Sequence, residues 1–449
     1  MMATSQQIHI DPEDTGLWKV KQTAEAAKKA SELLQQDLET HHVFFNEEGF
    51  HNHIVHHLLS LYGTGAPAEA MEAAYNANTS YQRHTLPVNQ QVVQELQSWE
   101  HAKEYLGKEK HYPDFLTFFQ REIDAKGWEA VLSEYLFAGT ESADDLLVRF
   151  YAGFMHPLIQ MIFGMEFKQP AIVAEALAQT CVHQPNFKEL LLQAEKNANE
   201  AYGMGKGSTT TMPRIASLLE ETRNDEKIKT AVRPGERPAK VPILLERAPA
   251  EMMRIISKVK VRPEELEERT VEMFDSALFV ATAASFHPGK TNKCDFFLIH
   301  HINAAPIFLT INSQPWLSTE TKARLLEWKI RYDLIQYAGR GVPALPLDEL
   351  KTYQPKKGLN SSLPEIMTRL HDFAPRDDGH AVKLTRAAAI TQQISQKYND
   401  RDWKIIKGDD MWMRIHHLIA DSVETPGPTW VRTTGLDEAW AEVPEKSKL

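Results

Sequence analysis

The strongest constraint on this chain is a rhythm. Apolar residues recur at three- and four-residue spacing in block after block, and no run alternates apolar and polar as a half-buried strand would. Residues 18–39 are rich in Ala, Lys, Glu and Leu and form one amphipathic pattern. A second runs from His51 to Tyr62, stops at Gly63-Thr64-Gly65 and restarts at Pro67. Further helical patterns cover 67–80, 90–105, 112–124 and 126–138. Ser142 with Asp145 reads as an N-cap, opening a helix over 144–156 that Pro157 ends and restarts. Residues 170–202 continue as helix with a break near Pro185. The pattern returns at 249–260, 263–282, 291–312, 317–337, 362–373, 379–397 and 409–422. The predicted fold class is all-α.

Two stretches fall out of the rhythm. Residues 203–249 hold several Gly and Pro, the run Thr209-Thr210-Thr211 and one short helical segment at 214–223. A stretch of this length reads as a lid or a solvated insertion. Residues 425–449 carry Pro426, Gly427, Pro428 and many charges, and read as a surface tail. Histidine-bearing helices lie on both sides of 203–249, which favours one large helical catalytic body over 1–449 with an insertion.

Composition narrows the function. Fifty basic against 61 acidic residues give a formal charge of −11, which argues against binding nucleic acid through general basicity. The first 19 residues lack a basic segment followed by an apolar core, so they do not read as a signal peptide. The most apolar long stretch, Phe150–Phe167, is interrupted by His156, Pro157, Gln160 and Glu166, so it reads as buried helix rather than a membrane span. A cytoplasmic protein is expected. The chain has two cysteines, Cys181 and Cys294, but 19 histidines. A thiolate zinc scaffold is excluded, and an imidazole metal site has material to draw on.

The histidines that matter sit in four apolar blocks. In His51-Asn52-His53-Ile54-Val55-His56-His57-Leu58-Leu59, positions four apart share a helix face. That pairs His53 with His57, beside the stripe Ile54, Leu58 and Leu61, and leaves His51 and His56 further off it. His156 is the polar member of Gly153-Phe154-Met155-His156-Pro157-Leu158-Ile159. A buried imidazole needs a partner, either a backbone carbonyl or a metal with an outer hydrogen bond. Asp295-Phe296-Phe297-Leu298-Ile299-His300-His301 puts two histidines in an aromatic run, pointing in different directions on a helix. In Asp377-Asp378-Gly379-His380-Ala381-Val382-Lys383, an aspartate caps a helix on which His380 and Lys383 are neighbours. From local sequence alone, the preferred reading of Lys383 is a surface ion-pair lysine.

Other signatures are missing. Gly63-Thr64-Gly65 and Gly339-Arg340-Gly341 lack the third glycine and the strand context of a dinucleotide fingerprint. Gly203–Ser208 has the wrong spacing for a phosphate loop, and neither G-x-S-x-G nor C-x-x-C occurs.

Taken together, the four blocks resemble the questin oxidase-like family, in the same order over residues 51–386. Tyr62, Gly65-Ala66 and Gly164-Met165-Glu166-Phe167 add to the match. The resemblance implies a fungal oxygenase of polyketide metabolism that opens the central ring of an anthraquinone to a benzophenone in a Baeyer–Villiger-like step. It implies Fe(II) as cofactor, O2 as oxidant and NADPH as the source of reducing equivalents, and the missing nicotinamide fingerprint suggests that these arrive through a separate reductase. It implies a metal held by histidines and a carboxylated lysine: Lys383 as that lysine, and four of His53, His57, His156, His300 and His380 as the histidines. His380 is alternatively a partner of the carbamate. A reduced anthraquinone is expected against Phe154, Phe296 and Phe297. The competing classes are a zinc hydrolase on the same scaffold and a non-catalytic helical binding protein.

Overall fold

A computed structural model describes residues 2–203, 211–236 and 240–446. Among these, twenty-two α-helices and six short 3-10 segments carry the regular structure, and the only β pairings are four isolated bridges. The all-α expectation holds. The chain divides into two compact units. The first comprises Met1–Lys188, Ser313–Leu317 and Met367–Arg386. The second comprises Glu189–Asn312, Ser318–Ile366 and Ala387–Leu449.

In the first unit, the helices Ala24–Thr40, Ile54–Tyr62 and Ala68–Thr79 pack pairwise against one another. Ala152–Glu166 and Tyr112–Lys126 both pack on Pro170–Val182. Alanine-rich faces such as Ala26, Ala27 and Ala30 permit close approach and are fully buried. The apolar stretch around residue 150 is a bent pair, Glu141–Phe150 and Ala152–Glu166, turning by 92°. No single helix among the described residues is long and apolar enough to cross a membrane.

Three of the differences from the sequence reading lie near the histidine blocks of the first unit. The cap near residue 142 is Thr140, whose hydroxyl accepts from Ala143 N, rather than Ser142. The helix beginning there ends at Phe150 instead of running to His156, because Gly153, Phe154 and Met155 adopt left-handed dihedrals. The helix of the first histidine block starts at Ile54 rather than His51, since backbone pairing with Val43 and Phe44 keeps the preceding segment extended: Phe44 and His51 form a bridge, and Asn52 N donates to Val43 O.

In the second unit, the long helix Thr319–Gly339 packs against Ile215–Asn224, Lys240–Arg247 and Leu266–Ala283. Its interior holds the ion pair Arg331–Glu327, both side chains fully buried. Residues 211–249 contain three helices, Ile215–Asn224, Glu226–Lys229 and Lys240–Arg247, where one was expected, with Leu218, Ile228 and Leu244 buried. Residues 204–210, which include Thr209, Thr210 and most of the glycine-rich Gly203–Ser208 stretch, lie outside the described residues, as do 237–239. The expected surface tail is anchored instead: Val431, Trp440 and Val443 form a buried cluster, because Asp295 holds this segment.

Asp295 is the hinge of that arrangement. Its Oδ1 caps the helix Phe296–Asn303 by accepting from Phe297 N and Leu298 N. Its Oδ2 accepts from Thr433 N and Thr434 N, both at 2.8 Å. Removing the carboxylate strands four backbone donors in a buried place. Asp295→Ala is therefore expected to lower unfolding free energy by about 3 kcal/mol, measured as a shifted urea midpoint.

Candidate metal centre

The first unit collects the histidines of three blocks. The ring nitrogens of His53, His56 and His156 lie within 4.8 Å of one another, and all three side chains are buried. Their geometry follows from where each ring gives its N–H. His53 Nδ1–H donates to Asp378 Oδ2 at 3.2 Å. His156 Nδ1–H donates to Gly153 O at 2.6 Å. Both rings then present an Nε2 lone pair, and these two nitrogens face each other at 3.0 Å. Two lone pairs at that distance repel unless a positive centre joins them. Burial lowers the basicity of His53, so a shared proton is disfavoured and a cation suits the donor set.

His56 adds a third ring and brings in the lysine. Its Nδ1 lies 2.8 Å from Lys383 Nζ. Lys383 is only 7% exposed, so the surface ion-pair reading does not apply. Burial pushes its pKa down to about 8. His380 lies beside this group: its Nδ1–H donates to Asp377 O, and its ring stands edge-on to His53 with centroids 4.9 Å apart.

Two outer layers hold these rings. Asp378, displaced from helix capping, accepts from His53, Asn78 Nδ2 and Tyr81 Oη. Those donors hold its carboxyl well below the usual range, against the opposing effect of its burial. Asp377 is the cap, accepting from Gly379 N and Ala381 N. On the other side, His51 stacks on His156 at 3.8 Å and donates Nε2–H to His183 Nε2 at 2.8 Å. His183 is fixed by its own Nδ1–H to Gln179 O.

The expected residues are thus distributed unevenly. His53, His156, His380 and Lys383 come together. His57 does not join them: its Nδ1–H donates to Asn78 Oδ1 at 2.7 Å, and its ring supports Gly379. The i,i+4 pairing of His53 with His57 is replaced by His53 with His56, because His53 is the N-cap rather than part of the helix. His300 belongs to the second unit, where its Nδ1–H donates to Phe296 O. Phe154 is in the first unit, half-buried, in the left-handed turn. Phe296 and Phe297 are half-buried in the second unit, with the guanidinium groups of Arg432 and Arg340 over their faces. His56, His183 and Asn78 were not among the expected ligands. Of these only His56 carried a signal, its place in the four-histidine block.

Sequence comparison adds the class. The protein named oxidoreductase AflY from Aspergillus parasiticus is 38% identical over 414 residues, covering 91% of this chain and 81% of its own length. The Baeyer-Villiger oxidase ptaJ from Pestalotiopsis fici is 33% identical over 98% of this chain and 99% of its own. The questin oxidase of Aspergillus fumigatus is 33% identical over 99% of this chain and 100% of its own. The class is therefore an all-α oxidoreductase. Within it the chain belongs to the questin oxidase-like family, whose model matches residues 50–388.

The left-handed turn at 153–155 makes the centre sensitive to a single methyl group. A Cβ at Gly153 would come 2.2 Å from His183 Nε2 and 2.9 Å from His51 Nε2, at a φ of +55°. Gly153→Ala is expected to cost about 2–4 kcal/mol of stability, read from chemical denaturation.

Proposed function

We propose that the chain is a non-haem iron oxygenase that opens the central ring of an anthraquinone-class polyketide in the Baeyer–Villiger sense, giving a benzophenone. One oxygen atom of O2 enters between the ring carbonyl carbon and its neighbour to give a lactone, the other leaves as water with two electrons and two protons from the reduced substrate or a reductase, and addition of water across the lactone opens the ring. The relatives' names supply the reaction class. The observation that carries the metal is the opposed Nε2 pair of His53 and His156, with His56 beside it.

His53, His56, His156 and His380 would hold the iron, with Lys383 as an anionic oxygen donor. Iron in such a cage supplies the one-electron chemistry that lets dioxygen react with a closed-shell aromatic. Lys383 earns its role through burial. A pKa near 8 keeps a useful fraction of neutral amine, which adds to CO2 to give a carbamate and release a proton. The carbamate replaces the carboxylate of a facial triad.

The remaining residues orient and exclude. Asp378, the Gly153 carbonyl and the Asp377 carbonyl each take one Nδ1–H, so His53, His156 and His380 keep the tautomer with Nε2 open. Phe163 lies over His56 with centroids 6.4 Å apart and helps keep bulk water away. Reducing equivalents enter with a pre-reduced hydroquinone substrate or from NADPH through a separate reductase.

Metal analysis combined with single turnover of a reduced hydroxyanthraquinone tests this reading. The expected result is stoichiometric iron and O2-dependent ring opening. His56→Ala should lose the metal while His57→Ala retains it, and Asp378→Asn should weaken metal binding by about 10- to 100-fold. Full activity of metal-free protein, or a flavin spectrum, overturns the iron. Tight zinc without O2 uptake points to a hydrolase. Loss of metal in His57→Ala but not in His56→Ala overturns the ligand choice.

A further inference from the structure

The first unit holds a second set of oxygen acceptors that the metal centre does not use. Asp37, on the helix Ala24–Thr40, and Glu175, on Pro170–Val182, both line a buried cavity of about 10 Å³, room for one water-sized species. Tyr112, at the start of Tyr112–Lys126, lines it from a third helix. The three residues are 2%, 5% and 3% exposed, respectively.

The cavity is short of positive charge. No lysine or arginine among the described residues lines it, and its two histidines bring no cation. His41 Nδ1–H donates to Asp37 Oδ1 at 2.8 Å, and its Nε2 accepts from Thr79 Oγ1 at 3.1 Å. His42 Nε2–H donates to Glu109 O, its Nδ1 accepts from Phe44 N, and burial lowers its pKa. Each ring therefore carries one proton. Two amides soften the imbalance without removing it: Asn52 Nδ2 donates to Asp37 Oδ1 at 2.8 Å, and Gln160 Nε2 donates to Glu175 Oε2 at 3.2 Å. Buried carboxylates are ordinarily paired or bound to a metal. Burial, then the Asp37 charge, pushes the Glu175 carboxyl well up, the direction of a group that lacks a positive partner.

A proton on Glu175 would answer the charge but not the geometry. The Tyr112 hydroxyl makes no hydrogen bond among the described residues. Burial, then the charges of Glu175 and Asp37, raises its pKa well above the ordinary value, so the hydroxyl lies on the side of the two carboxylates. Yet Asp37, Glu175 and Tyr112 do not bond to one another; their cavity spaces them apart. Water would fill the space and leave the charge. A proton would move the charge and leave the space. A metal cation of about the size of water does both. The donors are oxygens, which suit a hard ion. Mg2+ keeps several of its own waters and Ca2+ takes about six to eight oxygens, and the cavity has no room for a second water. An alkali ion asks less.

We infer that Asp37, Glu175 and Tyr112 hold one alkali-metal cation of potassium size. Its effect reaches the histidine block. Asn52, tied to Asp37 through Nδ2, accepts from Ile54 N at 2.9 Å through Oδ1, at the start of the helix that carries His56. The ion steadies the residue that marks that start. The inference needs neither iron nor any reaction.

The test follows urea unfolding of the intact chain after dialysis into N-methylglucamine chloride, with KCl or choline chloride added at matched ionic strength. Potassium at about ten times its dissociation constant should lower the unfolding equilibrium constant about tenfold, and choline should leave it unchanged. Glu175→Gln should abolish the potassium response. Tyr112→Phe should weaken potassium binding by about tenfold, the scale of one buried polar contact. The His53→Ala, His156→Ala double variant should keep the response. Equal effects of potassium and choline, or a response intact in Glu175→Gln, overturn the site. Loss of the response in the double variant assigns the ion to the metal centre and overturns it equally. Should Glu175→Gln fail to fold, thallium(I) NMR decides the matter. Wild-type protein must then show a bound thallium resonance that potassium displaces and that shifts in Tyr112→Phe; absence of either result overturns the site.

Discussion

A neutral imidazole taken out of water must give its N–H to an acceptor, and much of the first unit is organised around that demand. His51, His53, His56, His57, His156, His183 and His380 are all buried there. Five give Nδ1–H to a fixed oxygen: Asp378, Asn78, and the carbonyls of Gly153, Gln179 and Asp377. The choice of acceptor for one nitrogen decides where the other points. Desolvation pushes His57 and His183 down to about 4, so near neutrality these rings are uncharged lone-pair donors. The helices bring these acceptors together from remote parts of the chain, and the geometry of the histidine cluster follows from them.

The backbone departs from helix where an acceptor is needed. Gly153, Phe154 and Met155 form a turn of the wrong hand, and Asp378 and Gly379 also sit at positive φ. Left-handed residues other than glycine cost about 1–2 kcal/mol each. The first turn aims the Gly153 carbonyl at His156, and the second frees Asp378 from capping so that it can reach His53. Both are surrounded by buried side chains that leave no relaxed alternative, which is how strain survives in a folded protein.

The fold class was readable because helix periodicity is a local property, and most helices fall where the apolar spacing puts them. The Lys188–Tyr202 helix, for instance, begins just past the predicted break at Pro185. The four histidine blocks were readable for the same reason, since imidazoles in apolar runs are conspicuous. The choice between His56 and His57 was not, because it depends on a bridge between Phe44 and His51 that delays the helix to Ile54. Nor was the burial of Lys383, whose neighbours come from a segment more than three hundred residues away. The left-handed turn had one visible clue, Gly153, and a misleading one, Pro157, which reads as the helix break itself.

The return of Met367–Arg386 to the first unit has a temporal side. His53 waits for a carboxylate 325 residues further along the chain. On a ribosome, at about 5–20 residues per second, that is a delay of tens of seconds. During it, the nascent chain has His53 and His56 but neither the Asp378 anchor nor Lys383. A truncated product or a proteolytic fragment ending before residue 378 keeps most of the histidines and none of the second anchoring set. Assembly of the histidine cluster with its Asp378 and Lys383 partners is therefore tied to near-completion of synthesis.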